Sequence, residues 1–204
     1  MTSMMRNLKT VALAAAIGAA TLMLAGKAEA RDMQTITVAG GCFWCVESDF
    51  EKVTGVTEVT SGYTGGTTAN PTYSQVTGGG MGHYEAVEIR YDADQVSARQ
   101  IYDLFFRSVD PTDAGGQFCD RGDSYRTAIF VSNTAQQQAA QAALSAAQSE
   151  LGQQIVTPIL AASTFTDAEE YPQDYYKGQN RVVTRRGRKT EAEAYAFYRH
   201  AFGR

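Results

Sequence analysis

Cys42 and Cys45 are two of only three cysteines in this 204-residue chain, and between them lie Phe43 and the only tryptophan, Trp44. Gly40-Gly41 precedes them, after the short β-branched run Thr35-Ile36-Thr37-Val38. Val46, Phe50 and Val53 follow at helical spacing. A cysteine between a diglycine turn and a helix start meets unpaired N–H groups and the positive end of the helix dipole, both of which favour a thiolate. Two bulky aromatics beside it can form an apolar wall. These residue types point to sulfur chemistry on an apolar group. The plainer alternative is a buried structural cysteine. A zinc site would need two further ligands, and only Cys119, His83 and His200 are obvious donors, so no metal is expected.

The C-x-x-C spacing puts Cys42 and Cys45 on one helical face, close enough to pair after a small adjustment. Cys119, in a polar loop beside Asp120, could resolve an oxidised Cys42 or could be bridged to Cys45; the spacing leaves both open. Glu85 opens a strand leaving a glycine-rich loop. A partly buried carboxyl there has a raised pKa and can act as an acid near neutral pH, whereas an exposed strand glutamate cannot. His83 reads as a hydrogen-bonding loop residue. Tyr73 and Tyr125 lie at the ends of two long loops and can each donate a hydrogen bond to an oxygen, or can pack at the core or its rim, as can Phe43 and Trp44.

The elements that must position these groups can be read from periodicity. Strands are expected at Thr35–Val38, Val56–Tyr63, Tyr84–Tyr91, Thr127–Val131 and Ile155–Ala161. Helices are expected over Phe43–Val53, after the N-cap Ser97 with Ile101, Leu104 and Phe105, and over the alanine- and glutamine-rich Thr134–Leu151. Residues 67–82 and 110–124 read as loops. Strands and helices in mixed order, with hairpin-like neighbours, argue for an α+β fold with helices packed on one main sheet.

Residues 1–30 carry Arg6 and Lys9, an apolar run from Val11 to Gly26, and Ala28-Glu29-Ala30, the pattern of a secretory signal cleaved after Ala30. The expected product is periplasmic or secreted, with no stable membrane insertion. Cleavage would remove three positive charges and one negative, moving the formal charge from −4 to −6. An acidic domain gives no support to nucleic-acid binding. An odd number of cysteines in an oxidising compartment leaves at least one thiol unpaired. The basic stretch Arg181–Lys189 reads as a solvated tail, and Glu191–Phe202 as a short amphipathic helix.

Four segments in order resemble the peptide methionine sulfoxide reductase A family. They are Gly41-Cys42-Phe43-Trp44; Ser61-Gly62-Tyr63-Thr64-Gly65-Gly66 followed by Asn70-Pro71-Thr72-Tyr73; Gly82-His83-Tyr84-Glu85-Ala86-Val87; and Asp120-Arg121-Gly122-Asp123-Ser124-Tyr125-Arg126-Thr127. The resemblance spans about residues 35–180 and implies one catalytic domain at 31–180. Its fold would be a two-layer α+β sandwich, a mixed sheet with helices against it around a ferredoxin-like core. It implies that Cys42 attacks the sulfoxide sulfur and that Phe43 and Trp44 hold the substrate methyl. It further implies that Glu85 protonates the oxygen, that Tyr73 and Tyr125 bond that oxygen, and that Asp120 supports the site. The substrate would be the S-sulfoxide of methionine, free or in oxidised proteins. The enzyme would be a monomer without a bound cofactor, served by an external thioredoxin-like dithiol.

Three features depart from the family pattern. Cys45 and Cys119 stand where the family often has glycine and asparagine. The glycine-rich cysteine tail of many members is replaced by Gly178-Gln179-Asn180-Arg181. Cys45 is therefore the favoured resolving cysteine, with Cys119 the alternative. Two other functions compete. A general thiol–disulfide oxidoreductase would require a thioredoxin-like element order, which is not evident. A binding module for Met-rich partners would not need the Cys42 thiol.

Overall fold

The structure, a computed structural model, describes residues 31–169. The expected signal segment, the basic tail and the amphipathic stretch at 191–202 lie outside the described residues.

Strand β1 (Met33–Gly40) runs through the middle of a six-stranded sheet and leads through Gly41 into helix α1 (Phe43–Phe50). Strands β2 (Val56–Thr64) and β3 (Tyr84–Asp92) form an antiparallel pair, and β3 also pairs antiparallel with β1. Between them, residues 67–82 carry a five-residue helix, α2 (Tyr73–Thr77), where only loop was expected. One and a half turns are too short to show periodicity. The capping box of Thr72 and Gln75 is what closes them. Helix α3 (Ala98–Ser108) starts at a second capping box, Ser97 with Gln100.

The second long loop folds into a two-residue hairpin, β4 (Gly116–Gln117) with β5 (Asp120–Arg121), and a 3-10 turn at Asp123–Tyr125. Strand β6 (Thr127–Val131) pairs antiparallel with β1, and helix α4 (Thr134–Leu151) follows, capped by Asn133 and ended by Gly152. The strand expected at 155–161 is only β7 (Ile159–Ala161), parallel to β6. Pro158 offers no N–H to a ladder, and the Val156 N–H turns instead to the carbonyl of Pro111 at 2.8 Å. Strand β8 (Thr166–Asp167), which no periodicity announced, closes the far edge on β2.

The sheet order is β7-β6-β1-β3-β2-β8. Within it, β1, β2, β3 and β6, linked by α1 and α3, form the ferredoxin-like core. Alternation divides the two faces. Ile36, Val38, Val87, Ile89 and Ile129 meet Phe43, Val46 and Phe50 of α1 and Ile101, Phe105 and Phe106 of α3 in the main core. Small side chains at Ala140, Ala143 and Ala147 seat α4 in that same cluster. The opposite face carries a smaller cluster around Ala39, Ala86, Ala128 and Phe130. The α+β sandwich read from the sequence is the observed fold.

The turn into α1 depends on Gly41. Its φ is +87°, and a Cβ there would lie 2.6 Å from Cβ of Gln117. Hairpin β4–β5 can therefore rest directly on the residue before Cys42. Gly41→Ala is expected to cost about 1–2 kcal/mol from the left-handed backbone alone, with the Gln117 clash adding to it. Urea unfolding should show a lowered midpoint at unchanged slope.

Candidate active site

Cys42 occupies the N-cap position of α1, and its carbonyl receives the N–H groups of Cys45 at 3.1 Å and Val46 at 3.4 Å. The first turn brings the two thiols into hydrogen-bond contact. Cys42 is half-buried and Cys45 buried. The expectation that the helix start would stabilise a thiolate is overturned. The hydrogen bond to Cys45 and burial push the Cys42 thiol up, and the neighbouring Cys45, Glu85 and Asp120 push it further in the same direction. The Cys45 contact, burial and the two neighbouring carboxyl groups outweigh one helix N-terminus, and all of them favour the proton on Cys42.

Glu85, the second residue of β3, is 1% exposed, which settles the choice between a buried carboxyl and an exposed strand glutamate. Its Oε2 accepts the N–H of Phe43 at 3.2 Å, an amide at the first turn of α1 that the helix itself leaves unbonded. Its Oε1 has no hydrogen-bond partner of its own. Burial raises the Glu85 carboxyl from the usual 4.5 to about 8. The Phe43 N–H opposes that rise, the Asp120 charge adds to it, and the Tyr125 phenol opposes it more weakly. Tyr125 is thus near enough to favour the carboxylate without making a well-formed bond to Oε1.

The aromatic wall is larger than Phe43 and Trp44. Phe43 is fully buried, with Trp44 at 5.8 Å, Tyr63 at 5.9 Å and Tyr73 at 6.3 Å between ring centroids. Tyr73 also stacks on Trp44, at 6.3 Å and 20° between planes. The other side of the site comes from the hairpin loop. Gln117 latches this loop to the end of α3, accepting the N–H of Asp110 at 2.8 Å and donating to its carbonyl at 2.8 Å. Burial raises the Tyr125 phenol, and the charges of Glu85, Tyr73, Asp120 and Cys42 add to that, so these five groups share one electrostatic neighbourhood.

The structure therefore brings together Cys42, Phe43, Trp44, Cys45, Tyr73, Glu85, Asp120 and Tyr125. Cys119 is exposed at the hairpin tip, after Phe118 with φ +53°, and all three cysteines are free thiols. His83 is buried behind the glycine-rich loop, with Nε2 3.0 Å from the Thr68 carbonyl. Among the described residues, no three His, Cys, Asp or Glu side chains converge as a metal site would require. Reading of the sequence missed Tyr63, Gln117 and Glu169. Tyr63 reads as one more strand aromatic, and nothing near Glu169 or Gln117 marks them out in one dimension.

A thiol pair at a helix start, facing a neutral buried carboxyl and a wall of aromatic rings on an α+β sandwich, defines a thiol-dependent reductase. The comparisons with known proteins narrow that class. The family model described as peptide methionine sulfoxide reductase matches residues 34–201. The chain is 49% identical over 157 residues to peptide methionine sulfoxide reductase MsrA 2 of Rhizobium meliloti, covering 77% of this chain and 78% of that one. Its fold is similar to that of reduced Mxr1 from Saccharomyces cerevisiae, with TM-score 0.71, 28% identity, and 78% and 93% of the two chains covered. It is also similar to Mxr1 in complex with Trx2, with TM-score 0.51, 25% identity, and 73% and 91% covered. The chain belongs to the peptide methionine sulfoxide reductase family. It is an oxidoreductase that reduces methionine sulfoxide.

The raised Glu85 carboxyl has a measurable consequence for stability. Between about 4.5 and about 8 the unfolded chain has lost this proton while the folded chain keeps it, so stability falls as pH rises and levels off above about 8. Glu85→Gln lacks this titration. Its stability relative to the parent should climb across that window, by at most about 1.4 kcal/mol per pH unit. Urea unfolding at pH 5, 6.5 and 8 checks this; a difference that stays flat would refute the raised carboxyl.

Proposed function

We propose that Cys42 attacks the sulfur of methionine S-sulfoxide while Glu85 delivers its proton to the departing oxygen. The attack forms a bond between Cys42 Sγ and the substrate sulfur. The protonated oxygen then passes to Cys42 as that sulfur–sulfur bond and the substrate S–O bond both break, leaving an S–OH on Cys42 and releasing methionine. The thiol proton of Cys42 replaces the one Glu85 gave up, so no further proton is needed. The observation that carries this reading is the buried Glu85 carboxyl, protonated near neutral pH, anchored at the Phe43 N–H with one oxygen unpartnered. Tyr73 and Tyr125 donate to the sulfoxide oxygen as negative charge gathers there. Phe43 and Trp44 receive the methyl group. Burial favours the protonated Glu85 carboxyl, and the Asp120 charge adds to it.

Cys42 is left as a sulfenic acid. Cys45, already in contact with Cys42, condenses with it to a disulfide and releases water. An external dithiol then reduces the disulfide by exchange. The complex of Mxr1 with Trx2 supports a thioredoxin-like reductant. The basic and apolar pattern of residues 1–30 supports export to an oxidising compartment, where the enzyme repairs oxidised exported proteins or reduces free methionine sulfoxide.

Turnover of a methionine S-sulfoxide peptide with dithiothreitol tests the reaction. Cys42→Ser should be inactive, and Glu85→Gln should lose about 10²–10⁴-fold in kcat, the usual worth of a positioned acid. An active Cys42→Ser, or a parent enzyme without turnover, would sink the proposal. After one turnover without reductant, peptide mapping should find Cys42 bonded to Cys45; a Cys42–Cys119 bond would assign resolution to the hairpin tip.

A further inference from the structure

We infer that Glu169 is a positioning residue for Tyr73, fixing the place from which that phenol meets the sulfoxide oxygen; this rests on the oxygen-binding role proposed above for Tyr73. Each carboxylate oxygen of Glu169 has its own partner. Oε1 accepts the main-chain N–H of Tyr73 at 2.8 Å, and Oε2 accepts the Tyr63 hydroxyl at 3.0 Å. Tyr63 and Tyr73 are the two tyrosines whose rings pack against Phe43. One carboxylate thus ties together the rings on two sides of the substrate wall. It also occupies the Tyr63 hydroxyl as its acceptor.

Glu169 is exposed, but it arrives on a backbone with little freedom. The segment 163–169 straps the edge of β2. Ser163 Oγ lies 2.9 Å from Thr64 Oγ1 and accepts the Gly65 N–H at 3.0 Å. Thr166 and Asp167 pair with Tyr63 and Gly62, and the Ala168 N–H bonds the Ser61 carbonyl at 2.9 Å. The Phe165 ring lies so close over Gly62 that any Cβ there would collide with it. Ala168 itself is buried. The residue after this anchored run can reach Tyr73 in only a narrow range of positions. Partial burial opposes ionisation of Glu169, yet the bonds from Tyr73 and Tyr63 hold its carboxyl below the usual range, so it remains an acceptor at both oxygens. Glutamine keeps an acceptor for the Tyr73 N–H and can donate to the Tyr63 hydroxyl oxygen, so it preserves both contacts but without the carboxylate charge that strengthens them.

The test combines kinetics with the emission of Trp44, which stacks on Tyr73 and is the only tryptophan in the chain. The full-length parent, Glu169→Ala, Glu169→Gln, Tyr73→Phe and the Glu169→Ala/Tyr73→Phe double variant are assayed with an S-sulfoxide peptide and dithiothreitol. Glu169→Ala should lower kcat about tenfold, as expected for a mispositioned donor, and Glu169→Gln should lose less. Glu169→Ala should shift Trp44 emission, as the Tyr73 ring leaves its stack, and Glu169→Gln should shift it less. In the Tyr73→Phe background, Glu169→Ala should cost almost nothing more, because it acts through the missing hydroxyl. An equal tenfold loss in both backgrounds, or unchanged Trp44 emission, would overturn the inference. If Tyr73→Phe alone retains the parent kcat, the oxygen-binding role of Tyr73 fails, and the positioning role with it. The first outcome leaves that role of Tyr73 standing and the last does not, so the two failures are distinguishable.

Discussion

The hydrogen bond from the Phe43 N–H to the buried Glu85 carboxyl holds the site together. It joins the start of α1 to β3, and so fixes the nucleophile candidate against the acid candidate with one contact of 3.2 Å. Its setting decides the protonation of both. Cys42, Glu85 and Asp120 share a neighbourhood poor in water, and three negative charges there would repel one another strongly at low effective dielectric. The Cys45 hydrogen bond at Cys42, together with burial and mutual repulsion, therefore favours the protonated forms of both the Cys42 thiol and the Glu85 carboxyl. Reduction of a sulfoxide by a thiol conserves protons overall, so a neutral thiol and a neutral acid are a matched starting pair. A free thiolate, the form the helix start alone would favour, is also the form most open to oxidation by other species.

The rest of the fold serves to bring two loops to that bond. The main core, on the helical face of the sheet, seats α1 rigidly through Phe43, Val46 and Phe50. The glycine-rich loop after β2 delivers Tyr73 onto Trp44 and Phe43. The hairpin loop delivers Asp120 and Tyr125, held by Gln117 and by the absence of a side chain at Gly41. Neither loop has a large apolar core of its own. Each is pinned by a few polar contacts, which explains why single side chains such as Gln117 and Glu169 carry so much of the geometry.

Most of the architecture was legible in one dimension because it is written in periodicity. The alternation of Tyr84–Tyr91 and the capped, alanine-rich Thr134–Leu151 are long enough to declare themselves, and the structure places both as read. Elements of two to five residues, α2 and the β4–β5 hairpin among them, are too short to carry a period and are made by caps and tertiary contact. The pieces of the site were legible through residue type and family resemblance, but the protonation of Cys42 was not. A helix start is a local signal, whereas the Cys45 contact, burial, and the charges of Glu85 and Asp120 arise only when segments far apart in sequence meet. Glu169 was invisible for the same reason: its partners lie 96 and 106 residues away.

The claim on which this account turns is that Glu85 holds a proton at neutral pH. Infrared difference spectroscopy of the parent against Glu85→Gln, titrated from pH 5 to 10, observes that proton directly. The account predicts a protonated-carboxyl C=O band at pH 7 that is absent from Glu85→Gln and fades as pH rises through about 8. A carboxylate band for Glu85 already present at pH 6 would contradict it.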